Sequence, residues 1–108
     1  MAAVATTLGR LRALERLYSQ RYTDEVVDLT VRKLLERQVQ KDEAQLASLR
    51  EDLARFEQRY GMTSADFFTR YQAGQMGDDA EVFEWNALYK MHSRLADAVK
   101  SLRGQLRE

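Results

Sequence analysis

The chain has 108 residues with no proline, no cysteine and five glycines, and its 17 basic side chains balance 17 acidic ones. That length suits one domain with a modest core, and the lack of cysteine excludes disulfides and thiolate metal sites. No segment approaches the roughly 20 apolar residues of a membrane-spanning helix. The first ten residues also lack the basic start and apolar core of a signal peptide. We therefore expect a cytoplasmic protein.

Residues 1–22 predict a basic amphipathic helix over about 7–20. Its apolar residues recur every three or four positions, as a helix face requires: Leu8, Leu11, Leu14, Leu17 and Tyr18. Four arginines stand against one glutamate here, a net charge of +3: Arg10, Arg12, Arg16 and Arg21 against Glu15. Arginines can bind phosphates. The chain has no helix-turn-helix or zinc-finger pattern and no net charge, so we expect no DNA binding by this chain alone.

Residues 23–60 predict one long helix, because no helix breaker appears before Gly61. Thr23 is the predicted N-cap, followed by acids in the first turn. The second half carries apolar residues in the heptad rhythm: Leu46, Leu49, Leu53, Phe56 and Tyr60. Upstream the spacing changes to four residues, and Asp42 occupies a position where an apolar residue is due. Several β-branched residues near Val26 leave a strand as the local alternative.

Residues 61–78 predict a chain reversal that contains a short helix. Gly61 is a good helix stop. Thr63 and Asp66 have the spacing of a capping box, and Met62 and Phe67 that of a hydrophobic staple. The short helix is expected over about 64–73. Gly77 marks its exit, and Asp78 or Asp79 is expected to cap the last helix.

Residues 79–107 predict the last helix, and its apolar face is the most regular in the chain. Its positions step alternately by three and four: Trp85, Leu88, His92, Leu95, Val99, Leu102 and Leu106. Two matching faces joined by a reversal should pack antiparallel. The predicted fold is therefore all-α: a long antiparallel, coiled-coil-like helical hairpin with a short helix in the reversal and an N-terminal amphipathic helix. Trp85 should then lie near Phe56 and Tyr60.

The long helix is longer than the last one, so its start should extend beyond the hairpin. Either the first helix covers that end or another chain does, and unpaired apolar surface on a small protein usually marks an interface. Tyrosine and arginine often anchor interfaces. The predicted partner-binding residues lie at this end of the chain: Tyr18, Arg21, Tyr22, Val26, Val27, Leu29 and Val31.

Catalytic patterns are weak in this sequence. His92 is the only histidine, and no carboxylate stands one helical turn before or after it. We predict a half-buried histidine satisfied across the helix pair. The acids Asp78, Asp79, Glu81 and Glu84 lack the spacing of a calcium loop and suit the first turn of a helix. We therefore expect no enzyme, no cofactor and no metal.

Three segments carry a resemblance to a known group of proteins. They are Tyr60–Phe68, Gly74–Asp79 and Phe83–Trp85, which read YGMTSADFF, GQMGDD and FEW. This pattern resembles small helical, antitoxin-like proteins of prokaryotic two-gene toxin–antitoxin modules, in which a long charged helix leads into such a reversal. The resemblance covers about 23–92. Gln75, Met76 and Val82 depart from the residues common in that group.

The resemblance implies a non-catalytic protein that binds and neutralises a partner toxin, encoded by the adjacent gene. The stop, cap and core patterns described above predict a structural role for the reversal residues: Gly61, Met62, Thr63, Asp66, Phe67, Gly77, Asp78 and Trp85. The alternative function is a self-associating coiled-coil adaptor without a toxin. In that case Val27, Val31 and Leu35 would pair with their copies in a dimer.

Overall fold

A computed structural model describes residues 2–107. Met1 and Glu108, which the predicted ranges include, lie outside the described residues. The described chain is all-helical, with 85% of its residues in helices and no strand. In chain order the helices are α1 (Ala2–Ser19), α2 (Glu25–Tyr60), α3 (Ser64–Gln72) and α4 (Ala80–Leu106). Of these described helices, none has the length and apolar character needed to cross a membrane.

The helix boundaries differ from the predicted ones at two N-termini. α1 begins at Ala2 rather than near Thr7, since the Ala-rich start has high helix propensity. The N-cap of α2 is Asp24 and not Thr23. One carboxylate oxygen of Asp24 accepts hydrogen bonds from the Val26 and Val27 amides, at 2.7 and 3.3 Å. The cap must directly precede the first helical residue to reach these amides.

The chain divides into two compact units, one ending at Leu34 and the other beginning at Leu35. The second unit contains the core. Leu53, Phe67, Val82 and Trp85 form its buried cluster. Half-buried apolar side chains surround them: Phe56, Tyr60, Met62, Phe68, Tyr71, Met76, Leu88 and Tyr89. This cluster contains residues from α2, α3 and α4, so it joins the three helices of the unit.

Trp85 is the centre of this cluster and has no exposed surface. Its ring stacks on Phe67, with ring centroids 3.8 Å apart, and on Phe56, with centroids 5.6 Å apart. Tyr60 lies against it at 5.3 Å. The predicted neighbourhood of Trp85 with Phe56 and Tyr60 is thus confirmed. The indole N–H donates to the Ser64 hydroxyl at 2.9 Å, which satisfies the polar atom of this buried ring.

The predicted apolar faces are the buried ones in this unit. Leu49 and Leu53 on α2 are buried, as are Trp85 and Val99 on α4, and every other member of the two predicted faces is half-buried. Contacts between the end of α2 and the start of α4 are polar as well as aromatic. The Glu81 carboxylate accepts hydrogen bonds from Arg59 at 2.5 Å and from the Tyr60 hydroxyl at 2.8 Å. Further along, Arg103 forms an ion pair with Glu43 at 2.5 Å.

The end of α2 and the start of α3 are connected through Glu57. Its carbonyl accepts from the amides of Gly61 and Met62, at 2.9 and 3.3 Å. Gly61 has φ +65°, a left-handed conformation that glycine adopts without strain. The Glu57 carboxylate also accepts from the Ser64 amide at 2.8 Å. This one residue therefore ends α2 and helps to begin α3.

The predicted capping box at Thr63 is half formed. The Thr63 hydroxyl accepts a hydrogen bond from the Asp66 amide at 3.1 Å. The reciprocal bond, in which the Thr63 amide would donate to the Asp66 carboxylate, does not occur among the described residues. Aspartate is one methylene shorter than the glutamate of a standard box. For the predicted hydrophobic staple, Met62 is half-buried and packs against the buried cluster that contains Phe67.

The exit from α3 follows the Schellman pattern around Gly74. The Gln75 amide donates to the Arg70 carbonyl at 2.9 Å and the Gly74 amide to the Tyr71 carbonyl at 3.0 Å. Gly77 is also left-handed, with φ +77°. Asp79, the second of the two predicted candidates, is the N-cap of α4, although its side chain makes no capping hydrogen bond. Asp78 is exposed and lies before the cap.

The apolar residues that flank the regular face of α4 differ in burial. Val82 is buried and Tyr89 half-buried, whereas Met91 is 44% exposed. Nine residues make α3 too short to extend over a position so far along α4.

Asp42 is buried with only 7% exposure, and its carboxylate accepts a hydrogen bond from Gln38 at 2.9 Å. The acid thus occupies a core position with a partner from its own helix.

Replacing Ser64 with alanine should destabilise the second unit. In Ser64→Ala the buried indole N–H of Trp85 would lose its acceptor, and an unsatisfied buried donor costs about 1–3 kcal/mol. The change in stability is measured by urea denaturation. Unfolding is followed through the fluorescence of Trp85, which is the only tryptophan in the sequence. The control is Ser48→Ala on the exposed side of α2, which should leave the midpoint unchanged. Equal midpoints for the two variants would contradict this role of Ser64.

Candidate partner-binding surface

The predicted partner-binding residues lie in the first unit, and most of them are exposed. Val26 is 72% exposed, Tyr22 68% and Leu29 55%. Arg21 and Val31 are also exposed, whereas Tyr18 and Val27 are half-buried. The structure thus places these side chains together in the residues around the α1–α2 turn.

Sequence reasoning missed part of this surface. No residue of α1 is buried, and its leucines and Val4 are exposed along with Leu34 at the start of α2. We define the N-terminal apolar surface as the exposed large apolar side chains of residues 2–34: Val4, Leu8, Leu11, Leu14, Leu17, Tyr22, Val26, Leu29, Val31 and Leu34. The helical spacing of the leucines was visible in the sequence, but periodicity alone does not say whether a face is covered.

Tyr18 connects the end of α1 to the start of α2. Its hydroxyl lies 2.7 Å from a carboxylate oxygen of Asp28 and 2.8 Å from the Asp24 carbonyl oxygen, and it accepts from the Asp24 amide at 3.2 Å. Burial, followed by the hydrogen bond to Asp28, raises the pKa of the Tyr18 phenol above its ordinary value. The hydroxyl therefore stays protonated and remains a donor at neutral pH.

Arg21 ends α1 in an unusual conformation. It is the one non-glycine residue with positive φ in the described chain, at +68°. The Tyr22 amide donates to the Leu17 carbonyl and the Arg21 amide to the Tyr18 carbonyl, both at 3.0 Å. This is the Schellman pattern with arginine where glycine is usual. A left-handed residue with a Cβ costs about 1–2 kcal/mol, so this turn is under strain.

The charges of the first unit are separated along the chain. Residues 10–21 contain four arginines and one glutamate, whereas three acids, Asp24, Glu25 and Asp28, follow at the start of α2. Within residues 2–34, no ion pair joins any of the four arginines to these acids. The acids at the start of α2 are engaged locally instead, since Asp24 caps the helix and Asp28 is hydrogen-bonded to Tyr18.

The residues considered for catalysis do not converge. His92 is half-buried on α4, and no hydrogen bond to it occurs within residues 2–107, so the partner expected across the helix pair is missing. Glu81 is engaged by Arg59 and Tyr60. The hydrogen bond to Glu81, followed by burial, raises the pKa of the Tyr60 phenol. The described residues include no group of three or more His, Asp or Glu placed to hold a metal ion.

Two shallow grooves lie on the second unit. One, of about 440 Å³, is lined by five charged or polar side chains together with Val39 and Leu106. The other, of about 240 Å³, lies between Arg59 and Glu84 and includes Phe56. Both are open to solvent and lined by charged side chains, unlike the enclosed, mostly apolar pockets that bind small molecules.

Comparison with known proteins leaves the family of the chain unassigned. No family model, no curated protein and no solved structure matches it. The resemblance to antitoxin-like proteins therefore remains a prediction from the reversal motif. The exposed apolar side chains of the first unit are the feature of the chain that most strongly indicates a function.

Glycine at position 21 should relieve the strain of the α1–α2 turn. Arg21→Gly removes the cost of the left-handed conformation but increases the conformational entropy of the unfolded chain. The net gain in the stability of the first unit is therefore roughly 0.5–1 kcal/mol. Amide hydrogen exchange should become roughly two- to fivefold slower in α1. The control Arg21→Ala removes the same charge and keeps a Cβ, so it should show no slowing. Slower exchange in both variants would assign the effect to charge instead.

Proposed function

We propose that this chain is a non-catalytic protein-binding module, the antitoxin-like component that binds and neutralises a partner toxin. The N-terminal apolar surface is the docking site in this proposal. The observation that carries it is the exposure of ten large apolar side chains within residues 2–34, where no described residue is buried. The reversal motif resembles that of antitoxin-like proteins, and this resemblance is the reason for proposing a toxin as the partner.

The chemistry of this surface suits a protein partner. Apolar area that is exposed over a contiguous segment favours association, because its burial removes it from water. Tyr22 and Arg21 add residue types that anchor interfaces. The arginines of α1 would contact acidic side chains at the rim of a partner, where charge mainly speeds association and restricts the choice of partner.

We further propose that residues 35–60 and α4 pack as an antiparallel, coiled-coil-like hairpin. Two sets of contacts support this arrangement. Glu81 near the start of α4 bonds Arg59 and Tyr60 at the end of α2, and Arg103 near the end of α4 pairs with Glu43. In this view the hairpin is a rigid scaffold that leaves the function to the first unit.

Spin labels can test the direction of the hairpin, since the natural chain has no cysteine. In Arg59→Cys/Glu84→Cys the two labels should be close. In Arg59→Cys/Arg103→Cys they should be about 30 Å farther apart, from 1.5 Å per helical residue. Electron–electron double resonance measures both distances. A parallel arrangement would reverse their order and would overturn the proposed hairpin.

Co-expression with the product of the adjacent gene tests the antitoxin proposal. We expect that product to arrest growth when expressed alone, and a stoichiometric complex to form when both are present. Leu29→Asp should abolish the complex and restore growth arrest, because a carboxylate would be buried in the interface. Its control is Met91→Asp, at a large apolar side chain on α4 that is also exposed, and it should neutralise normally.

Two results would contradict the proposal. A neighbour that is harmless when expressed alone would remove the toxin. A complex that forms equally with wild type, Leu29→Asp and Met91→Asp would move the binding site away from the N-terminal apolar surface.

A further inference from the structure

We infer that the N-terminal apolar surface also pairs with a second copy of this chain, so that the free protein is a homodimer through residues 2–34. The inference concerns the regulation of the proposed docking site and rests on that site being an interface. It does not depend on the identity of the toxin. A toxin that uses the same surface would have to displace the second copy.

One neighbouring helix cannot cover the apolar side chains at the start of α2. At 100° per residue, Val26, Leu29, Val31 and Leu34 spread over more than half of the helix circumference. The apolar stripe of a helix that packs against one neighbour is roughly 100° wide, so apolar side chains spread this widely need more than one neighbour. Val27 alone is half-buried in this segment. A second helix is therefore needed, and α1 of another copy presents a matching apolar face.

α1 and the first turn of α2 carry opposite charges: α1 and the following turn have a net +3, whereas Asp24, Glu25 and Asp28 carry −3 and are followed by Arg32 and Lys33. Within the chain the Asp24 carboxylate caps α2 and the Asp28 carboxylate is hydrogen-bonded to Tyr18. The structure forms no ion pair between these two groups within residues 2–34. In a twofold dimer, contacts occur twice, with residue i on j and j on i. Laying α1 of each copy on the start of α2 of the other would pair the basic group with the acidic group twice.

The choice of a second copy over an unrelated partner follows from this self-complementarity. An acidic partner would satisfy the arginines but would repel Asp24, Glu25 and Asp28 beside them. A basic partner would have the opposite conflict. The same chain supplies both signs, in the basic α1 and the acidic first turn of α2, together with apolar faces on both helices.

Light scattering of the purified chain across the micromolar range tests the inference. The wild type should be a dimer that dissociates on dilution. Leu8→Glu should weaken it at least about tenfold, because a charge would enter an apolar interface. The matched control is Met91→Glu, since Leu8 and Met91 are both 44% exposed, and this variant should leave dissociation unchanged.

A second pair of variants tests the charges. Arg12→Glu/Arg16→Glu should weaken the dimer at least about tenfold. Arg94→Glu/Lys100→Glu, which reverses the same number of exposed positive charges on α4, should not. All of these side chains are exposed or solvent-facing, so circular dichroism should show the same helical content in every variant.

The outcomes separate this inference from the proposed function. A wild type that stays monomeric at all concentrations overturns the dimer, even if it binds the product of the adjacent gene. A dimer that resists both Leu8→Glu and Arg12→Glu/Arg16→Glu, or that the α4 controls weaken equally, also overturns it. A dimer that loses its self-association in the Leu8 and Arg12/Arg16 variants supports the inference, even where the neighbour proves harmless and the antitoxin proposal fails.

Discussion

The burial of one indole ring organises the second unit. Trp85 is large, fully buried and carries a polar N–H, so it requires both aromatic neighbours and an acceptor. Phe56, Phe67 and Tyr60 supply the rings, and Ser64 supplies the acceptor. Because these residues come from α2 and α3, the reversal must place Ser64, the first residue of α3, beside α4. The caps around the reversal meet that requirement.

The first unit is held by a different kind of interaction. No side chain of residues 2–34 is buried, and Tyr18 provides the hydrogen bonds between the end of α1 and the start of α2. A segment with exposed apolar groups and few buried contacts opens locally at low free energy. The strained conformation of Arg21 lowers that free energy further. Such a segment gains stability by associating with another chain, whichever chain that is.

Two proposed partners for one surface have a thermodynamic consequence. If a second copy occupies the N-terminal apolar surface, only the monomeric fraction of the chains can bind a toxin there. The apparent affinity for the toxin then falls in proportion to that fraction. The toxin must then be present at sufficient concentration to shift the equilibrium, as mass action requires. The core of the second unit would be unaffected by the exchange, because it lies within residues 35–107.

The sequence by itself determined the helices, the reversal and the buried faces. Glycine at 61, the cap at Thr63 and the apolar spacing around Trp85 are local signals, and local signals predict local structure. It could not decide that Asp24 replaces Thr23 as the cap, or that Arg21 takes a left-handed conformation. The exposure of the α1 leucines was equally hidden, since periodicity shows which residues share a face but not what covers it. Only the tertiary structure decided that, because burial depends on neighbours that are distant in sequence.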